Sequence, residues 1–443
     1  MHSILRNVHL DKLPIDETQD QLERFLKPVF TLLPDKRLCD VARLIVQGIL
    51  AAQSPTLTEA ASKVSRTEEN NWAMVKRMYR FEWNERFSHR TLLKGVYGIG
   101  QQRVDYYAPP RLIVALDPVN FEKPYTRALE GVSTVQKSTP PGEHGQKRLT
   151  SGYPAITATV VNLPEPVITY ANWFSYRTAD FVSENRELYR AIRITRALFP
   201  SRPIRFVGDA GLDDKKLFSW VDDVDAEFIF RSCHDRRIEV YNDRLDRWEE
   251  ELLNDLVVTV PLPLQLEVKF THARQVRTAQ MGLGWFKIRM LDTRQVLWVL
   301  VAHEKNTDPK DDLVLITNVP IETVHDAETV YTQWRHRPQV EHTYRFDQED
   351  GLNVEDICVR TMERMRRVFV LTLLAALFVY HIGAVWPANA VLWLRQLGGK
   401  LGRSTDLDGP YILLAGLSAL FVTIATLAYA IQHPFPDIGG TYG

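Results

Sequence analysis

Two short apolar runs, each closing on an aspartate, constrain this 443-residue chain more than any other feature. Arg111-Leu112-Ile113-Val114-Ala115-Leu116 leads into Asp117-Pro118, and Ile204-Arg205-Phe206-Val207-Gly208 leads into Asp209. Runs this short and dense read as buried strands, the kind found in parallel sheets. Between them, Ser183 to Phe199 fits a helix with Leu188, Ile192 and Leu198 apolar, and Pro200 and Pro203 punctuate the turn that follows. Leu212 to Asp222 reads as a helix behind the second run, and Ala226 to Arg231 as another strand. Tyr153 to Leu163 and Pro166 to Phe174 read as two further strands. Strands joined by helical crossovers make an α/β domain. In open α/β sheets function collects at the carboxyl ends of strands, which makes Asp117 and Asp209 the first candidate functional residues.

The flanks have a different texture. Phe25 to Val96 reads as helical, with Val41, Leu44, Ile45, Ile49 and Ala52 at a spacing near 3.6. Thr56 is a plausible cap for a short helix, with Glu59 three residues later. A longer helix is expected over Glu68 to Arg80, with Trp72, Val75, Met78 and Tyr79 on one side and Lys76, Arg77 and Arg80 among them. A short helix followed by a basic one is the outline of a helix-turn-helix. Tyr106 to Pro110 marks a junction, and Glu130 to Gly152, rich in Gly, Pro, Lys and Ser, a loop or hairpin. From Ile238 to about Val319 the pattern is β-rich, with strands expected at 256–260, 264–270, 285–290, 296–302 and 313–317. Helices are expected over Thr329 to Arg345, with Pro338 at a kink or in a first turn, and over Val354 to His381.

Composition excludes little beyond the extremes. Hydrophobic residues make up 45% and charged residues 25%, which rules out disorder and fibrous repeats. Lys and Arg total 54 against 55 Asp and Glu, so no global basic field advertises nucleic acid, although a basic groove can hide in a balanced total. Three scattered cysteines, Cys39, Cys233 and Cys358, make neither a disulfide framework nor a zinc cluster and fit a reducing compartment. The first twenty residues lack the apolar stretch of a signal peptide. Val368 to Trp386 and Tyr411 to Ile431 have the length and apolarity of membrane spans, and packing helices are the preferred reading over a membrane pair.

A third acid, Glu341, lies in the expected helix beside Trp334, Arg335, Arg337, Tyr344 and Arg345. Steps of three and four place Trp334, Arg337, Glu341 and Gln348 on one helix face. Carboxylates delivered by strand ends and a helix are what two-metal phosphoryl transfer requires. An arginine can fork onto a phosphate and an aromatic can stack on a base. The plain alternatives are strand-end turn aspartates and a surface Arg337–Glu341 pair worth ~0.3–0.5 kcal/mol.

These segments resemble the bacterial insertion-sequence DDE transposases, in the branch with a β-strand insertion between the second Asp and the Glu. The similarity covers roughly residues 30 to 385. LIVALDPVNF resembles the first-Asp strand, FVGDAGLDDKKLF the second, and YTQWRHRPQVEHTYRFDQEDGLNVED the Tyr-x2-Arg-x3-Glu-x6-Lys signature. LTEAASKVSRTEENNWAMVKRMYRFEWNERF resembles the N-terminal DNA-binding region. The resemblance implies an α/β fold: an RNase H-like core with a β-rich insertion, an N-terminal helical DNA-binding domain and C-terminal helices. The expected divisions are 1–105 for DNA binding, 106–237 and 321–385 for the two parts of the core, 238–320 for the insertion and 386–443 for a C-terminal helical region. It implies that Asp117, Asp209 and Glu341 are catalytic and hold Mg2+, with Mn2+ able to substitute. Arg337 matches the signature arginine; Trp334 stands for the tyrosine and Gln348 for the lysine. DNA contacts are expected at Trp334, Arg337, Gln348, Trp298, Lys76, Arg77 and Arg80. Trp285, Lys137, Lys147, Arg148, Arg231, Arg236 and Arg237 are further candidates.

The implied activity is cut-and-paste transposition, in which water cleaves the transposon-end phosphodiester and the freed 3′ hydroxyl attacks a second strand. The implied partners are double-stranded DNA, as terminal inverted repeats and target, and a second copy of the chain. A cytoplasmic, nucleoid-associated location follows from the same resemblance, with a membrane not expected. Three alternatives stay open. Gln348 and Trp334 depart from the signature and point to a catalytically impaired DNA-binding descendant. The apolar C-terminal stretches point to a membrane-attached protein. A metal-dependent nuclease without strand transfer would share the same acids.

Overall fold

The computed structural model describes residues 14–432 apart from 65–67, 125, 127, 138–147, 180, 234, 243, 273–274, 349–350 and 400–408. It divides into two compact units, Arg103–Asn120 with Pro154–Thr343, and Met1–Gln102 with Phe121–Tyr153 and Tyr344–Gly443.

The first of these units is built on a sheet. Its opening strand, β1, runs Leu112–Glu122, so the apolar run does not stop at Asp117; the aspartate sits within the strand. β3 (Leu149–Val160) and β4 (Val167–Trp173) follow; the short hairpin strand β2 (Ser133–Gln136) and the first residues of β3 belong to the other unit. The helix α6 (Glu184–Leu198; α1 to α5 precede β1 and are described below) is capped by the Ser183 side chain on the Arg186 N–H. β5 (Ile204–Gly208), α7 (Lys215–Asp223) and β6 (Glu227–Arg231) complete the alternation. β3 pairs antiparallel with β4 and lies beside β1, while β1–β5 and β5–β6 are parallel. Three strands in a meander, followed by two parallel strands reached through helices, form the RNase H-like arrangement.

The insertion extends that sheet. β7 (Arg237–Asn242), β8 (Arg247–Leu252), a short helix α8 (Leu253–Val257), β9 (Leu264–His272), β10 (Gln275–Arg289), β11 (Val296–Glu304) and β12 (Leu313–Thr317) follow β6. The strand order is β2-β3-β1-β5-β6-β12-β11-β10-β7-β8, with β4 also on β3 and β9 on β10. β12 closes antiparallel onto β6, so the β-rich insertion continues the core sheet. Residues 256–260 are not a strand: Leu253 and Val257 face inward one helical turn apart, and burial of that pair favours a helix. Two helices then replace the single one expected: α9 (Val324–Trp334) and α10 (Pro338–Gln348). Pro338 occupies the first position of α10, where its missing N–H leaves no helical bond unmade.

Alternation assigns the two sheet faces. Leu112, Val114, Leu116, Ile204, Phe206, Phe228, Phe230, Val299, Val301, Val314 and Ile316 point into one core, covered by Leu188, Ile192, Leu217, Phe218 and Leu253 of the helices. The opposite face carries the intervening residues, and α9 lies against β6, β10 and β11 there with Ala327, Val330 and Tyr331 buried.

The second unit is largely helical: α1 (Ile15–Phe30), α2 (Lys36–Ala52), α3 (Leu57–Val64), α4 (Glu68–Glu82), the start of α5 (His89–Tyr107), α11 (Met362–Val385), α12 (Ala388–Gly398) and α13 (Pro410–Gln432). α11 and α13 are long and apolar enough to cross a membrane, and 78% of the apolar window of α11 is buried by its neighbours. Arg367 of α11 donates to the carbonyls of Glu82, Asn84 and Phe87, and Glu363 one turn earlier pairs with His89. α3 and α4 are the short helix and the basic helix expected in sequence, and the residues that join them lie outside the described residues. On α4, Val75 and Met78 are buried, but Trp72 is 61% exposed and lies over Lys76. Trp72 therefore belongs with Lys76, Arg77 and Arg80 on the exposed side, because positions 72, 76 and 80 lie one turn apart along one face.

Candidate active site

Strand register brings the two aspartates together. Ala115 of β1 is level with Val207 of β5, Val207 with Ile229 of β6, and Ile229 with Thr317 of β12. Two residues further along, on the same face, the row reads Asp117, Asp209, Arg231 and Leu315, and continues through Leu300 to Trp285. Asp209 lies one residue beyond β5 with φ −84° and ψ 175°, so the extended alternation still holds there. Its carboxylate also accepts the Ala210 N–H, which caps a short 3-10 turn and stops the strand.

Glu341 arrives from α10, in the turn after Pro338. All three acids meet on one guanidinium. Arg337, in the link between α9 and α10, places Nη2 3.2 Å from Asp117 Oδ1 and 3.3 Å from Asp209 Oδ2, and Nη1 on Glu341. The link is held by the Arg337 N–H on the Trp334 carbonyl at 2.8 Å. The Trp334 indole N–H donates to the carbonyl of Gly208 at 3.3 Å, which ties the end of β5 to the end of α9. Arg335 donates to the Lys269 carbonyl at 2.7 Å and lies over Phe270, so the same corner also holds the β9–β10 hairpin.

The electrostatics follow from that convergence. Asp117 is 8% exposed, and burial together with the charges of Glu341 and Asp209 pushes its carboxyl up to about 7, against the opposing pull of Arg337. Burial opposes the Arg337 charge, but Asp117, Glu341 and Asp209 outweigh it and hold the guanidinium above its ordinary value. Two like charges ~4 Å apart repel by about 4 kcal/mol at an effective dielectric near 20. The acid cluster therefore needs a cation. The Nε of Arg337 is buried and has no hydrogen-bond partner among the described residues.

Carboxylate oxygens on three elements, close enough to share one cation, are the hard donors that Mg2+ and Mn2+ take, and in that respect the residues fit a metal. As they stand, with the guanidinium between them, no three acids, histidines or cysteines among the described residues form a ligand set.

The other expected positions are distributed differently. Trp334, Arg337, Glu341 and Gln348 do not share one helix face, because the helix breaks between Trp334 and Pro338. Gln348 ends α10, and its side chain, like those of Tyr344 and Arg345, lies outside the described residues, as does Lys147. Trp298 is half-buried in β11 between Lys287 and Thr317, one row from the acids, whereas Trp285 is in the acid row itself. Arg236 is committed to Asp213, which also accepts from Ser232 at 2.9 Å, and Arg237 pairs with Glu250 at 2.6 Å. Lys137 and Arg148 face each other across the β2–β3 hairpin through a 2.8 Å backbone bond. Lys76, Arg77 and Arg80 are exposed on α4. Sequence reasoning missed the indole bond of Trp334 to Gly208 and the joining of Arg337 to both aspartates, since neither contact has a local signal.

No family model and no curated protein matches the chain. Among solved structures it is similar to a piggyBac transposase synaptic complex with hairpin DNA, at 7% identity and a TM-score of 0.43, over 96% of this chain and 86% of that one.

Proposed function

We propose that the protein is a DDE-type DNA transposase, with Asp117, Asp209 and Glu341 as its metal-holding acids. The meeting of these three carboxylates on one cation carries the reading. Two Mg2+ ions, when bound, would supply the charge that activates water and stabilises the leaving 3′ oxygen. Asp117 and Asp209 are held by the sheet, and Glu341 by the first turns of α10, so the acids are fixed before substrate arrives. Arg337 is placed to take a phosphate oxygen. Arg231, level with Asp209 on the next strand, adds a second cation to the same row. The exposed face of α4, with Trp72, Lys76, Arg77 and Arg80, is suited to duplex DNA by charge and by helix-turn-helix placement. Strand transfer, a working dimer and terminal-repeat recognition belong to the same proposal, as does a nucleoid-associated location.

The test is incubation of purified protein with its element's end DNA and Mg2+, beside a Glu341→Gln control. A nick leaving a 3′ hydroxyl, made by the wild type alone, is expected. End binding without any nick in Mg2+ or Mn2+, by folded protein, would replace this reading with that of a DNA-binding descendant.

A further inference from the structure

We infer that Arg337 keeps the acid cluster closed to divalent cations until a phosphodiester arrives, so that substrate binding and metal loading are coupled through one side chain. This rests on the proposed metal-dependent reading of Asp117, Asp209 and Glu341, and adds to it an order of events.

The guanidinium lies where a cation shared by the three acids would lie, with Nη2 on both aspartates and Nη1 on the glutamate. A metal bound by all three acids and this pose of Arg337 exclude each other. The pose is also incompletely satisfied. Nε is buried without a partner among the described residues, although a guanidinium gripping a phosphate can use Nε and one Nη together. Leaving a buried donor unmade costs free energy that an incoming phosphate oxygen would return. The backbone at Arg337 is fixed by its bond to Trp334 and by Pro338, so the movement is confined to the flexible side chain. Access is one-sided: the side chains of Asp209 and Glu341 are 48% and 45% exposed, against 12% for Asp117, so an anion would meet Arg337 from the Asp209–Glu341 side. Departure of Arg337 leaves three acids facing one another, which raises the cluster's affinity for Mg2+ at the moment substrate is present.

Mn2+ binding to the DNA-free protein, measured by calorimetry, tests this directly. Arg337→Gln should bind Mn2+ at least tenfold more tightly than the wild type, and Arg337→Lys should fall between them. Adding a 30-base-pair duplex should tighten Mn2+ binding to the wild type, measured with Asp117→Asn as the site control, and do so much less in Arg337→Gln. Because the variant could be less stable, melting is followed in parallel: Mn2+ should raise the melting temperature of Arg337→Gln more than that of the wild type. Equal, Asp117-dependent affinity in wild type and Arg337→Gln would overturn the coupling and leave the metal site standing. Absence of binding in both proteins, with and without duplex, would overturn the metal reading itself and the coupling with it.

Discussion

Glu82 is the last residue of α4, the helix that presents Trp72, Lys76, Arg77 and Arg80, and replacing it by glutamine should remove a pH dependence from folding. Glu82 is 1% exposed and neither carboxyl oxygen has a hydrogen-bond partner among the described residues. Burial raises its pKa to about 8; Arg367 and Arg364 oppose the rise and Glu363 adds to it. In the unfolded chain the same group titrates near 4.5. The folded state therefore holds a proton that the unfolded state releases between these values. Stability from this group is fully present below about pH 4.5 and is lost as pH rises towards about 8. That interval corresponds to at most about 5 kcal/mol. Glutamine cannot ionise, and its amide leaves buried polar atoms much as the neutral carboxyl does. Urea unfolding of wild type and Glu82→Gln from pH 5 to pH 9 measures the effect. The two should lie within ~2 kcal/mol at pH 5, and the variant should gain on the wild type by several kcal/mol by pH 9. Parallel curves across that range would refute the claim that Glu82 is buried as a neutral acid.

Arg367→Met should destabilise by about 3–5 kcal/mol in the same assay, because the carbonyls of Glu82, Asn84 and Phe87 and the Glu363 carboxylate all lose a donor; a loss below 1 kcal/mol would contradict it. Trp334→Phe keeps the ring but removes the indole bond to Gly208, and should slow end cleavage up to about tenfold without weakening end binding. An unchanged rate would mean that the bond does not position Asp209. Lys76→Ala and Arg80→Ala should each reduce the salt dependence of duplex binding by about one phosphate contact. Retention of the full slope in the double variant would take α4 out of the DNA interface.

Local pattern was enough for much of this. The apolar runs at 112–116 and 204–207 became parallel neighbours, and the strand expected at 313–317 is β12 with those bounds. The helix expected over Ser183 to Phe199 and the long apolar helices were equally legible, because burial periodicity acts over a few residues. Length was harder to read. β1 continues past Asp117-Pro118 to Glu122, since proline removes a donor without ending a strand whose N–H is not needed there. The single helix expected across Trp334 and Glu341 divides at Pro338, a position where one sequence is compatible with a kink, a break or a first turn.

Residue types alone nominated Asp117, Asp209, Glu341 and Arg337, and spacing alone joined Arg337 to Glu341 four residues away. Only tertiary structure could bring both aspartates to the same guanidinium, because the contacts close loops of 128 and 220 residues whose geometry no local preference encodes. The same reason governs Trp72 and Trp334. Their chemistry was visible as aromatic residues beside basic ones, but whether each ring faces solvent or a neighbouring carbonyl is decided by what packs on the other side of its helix.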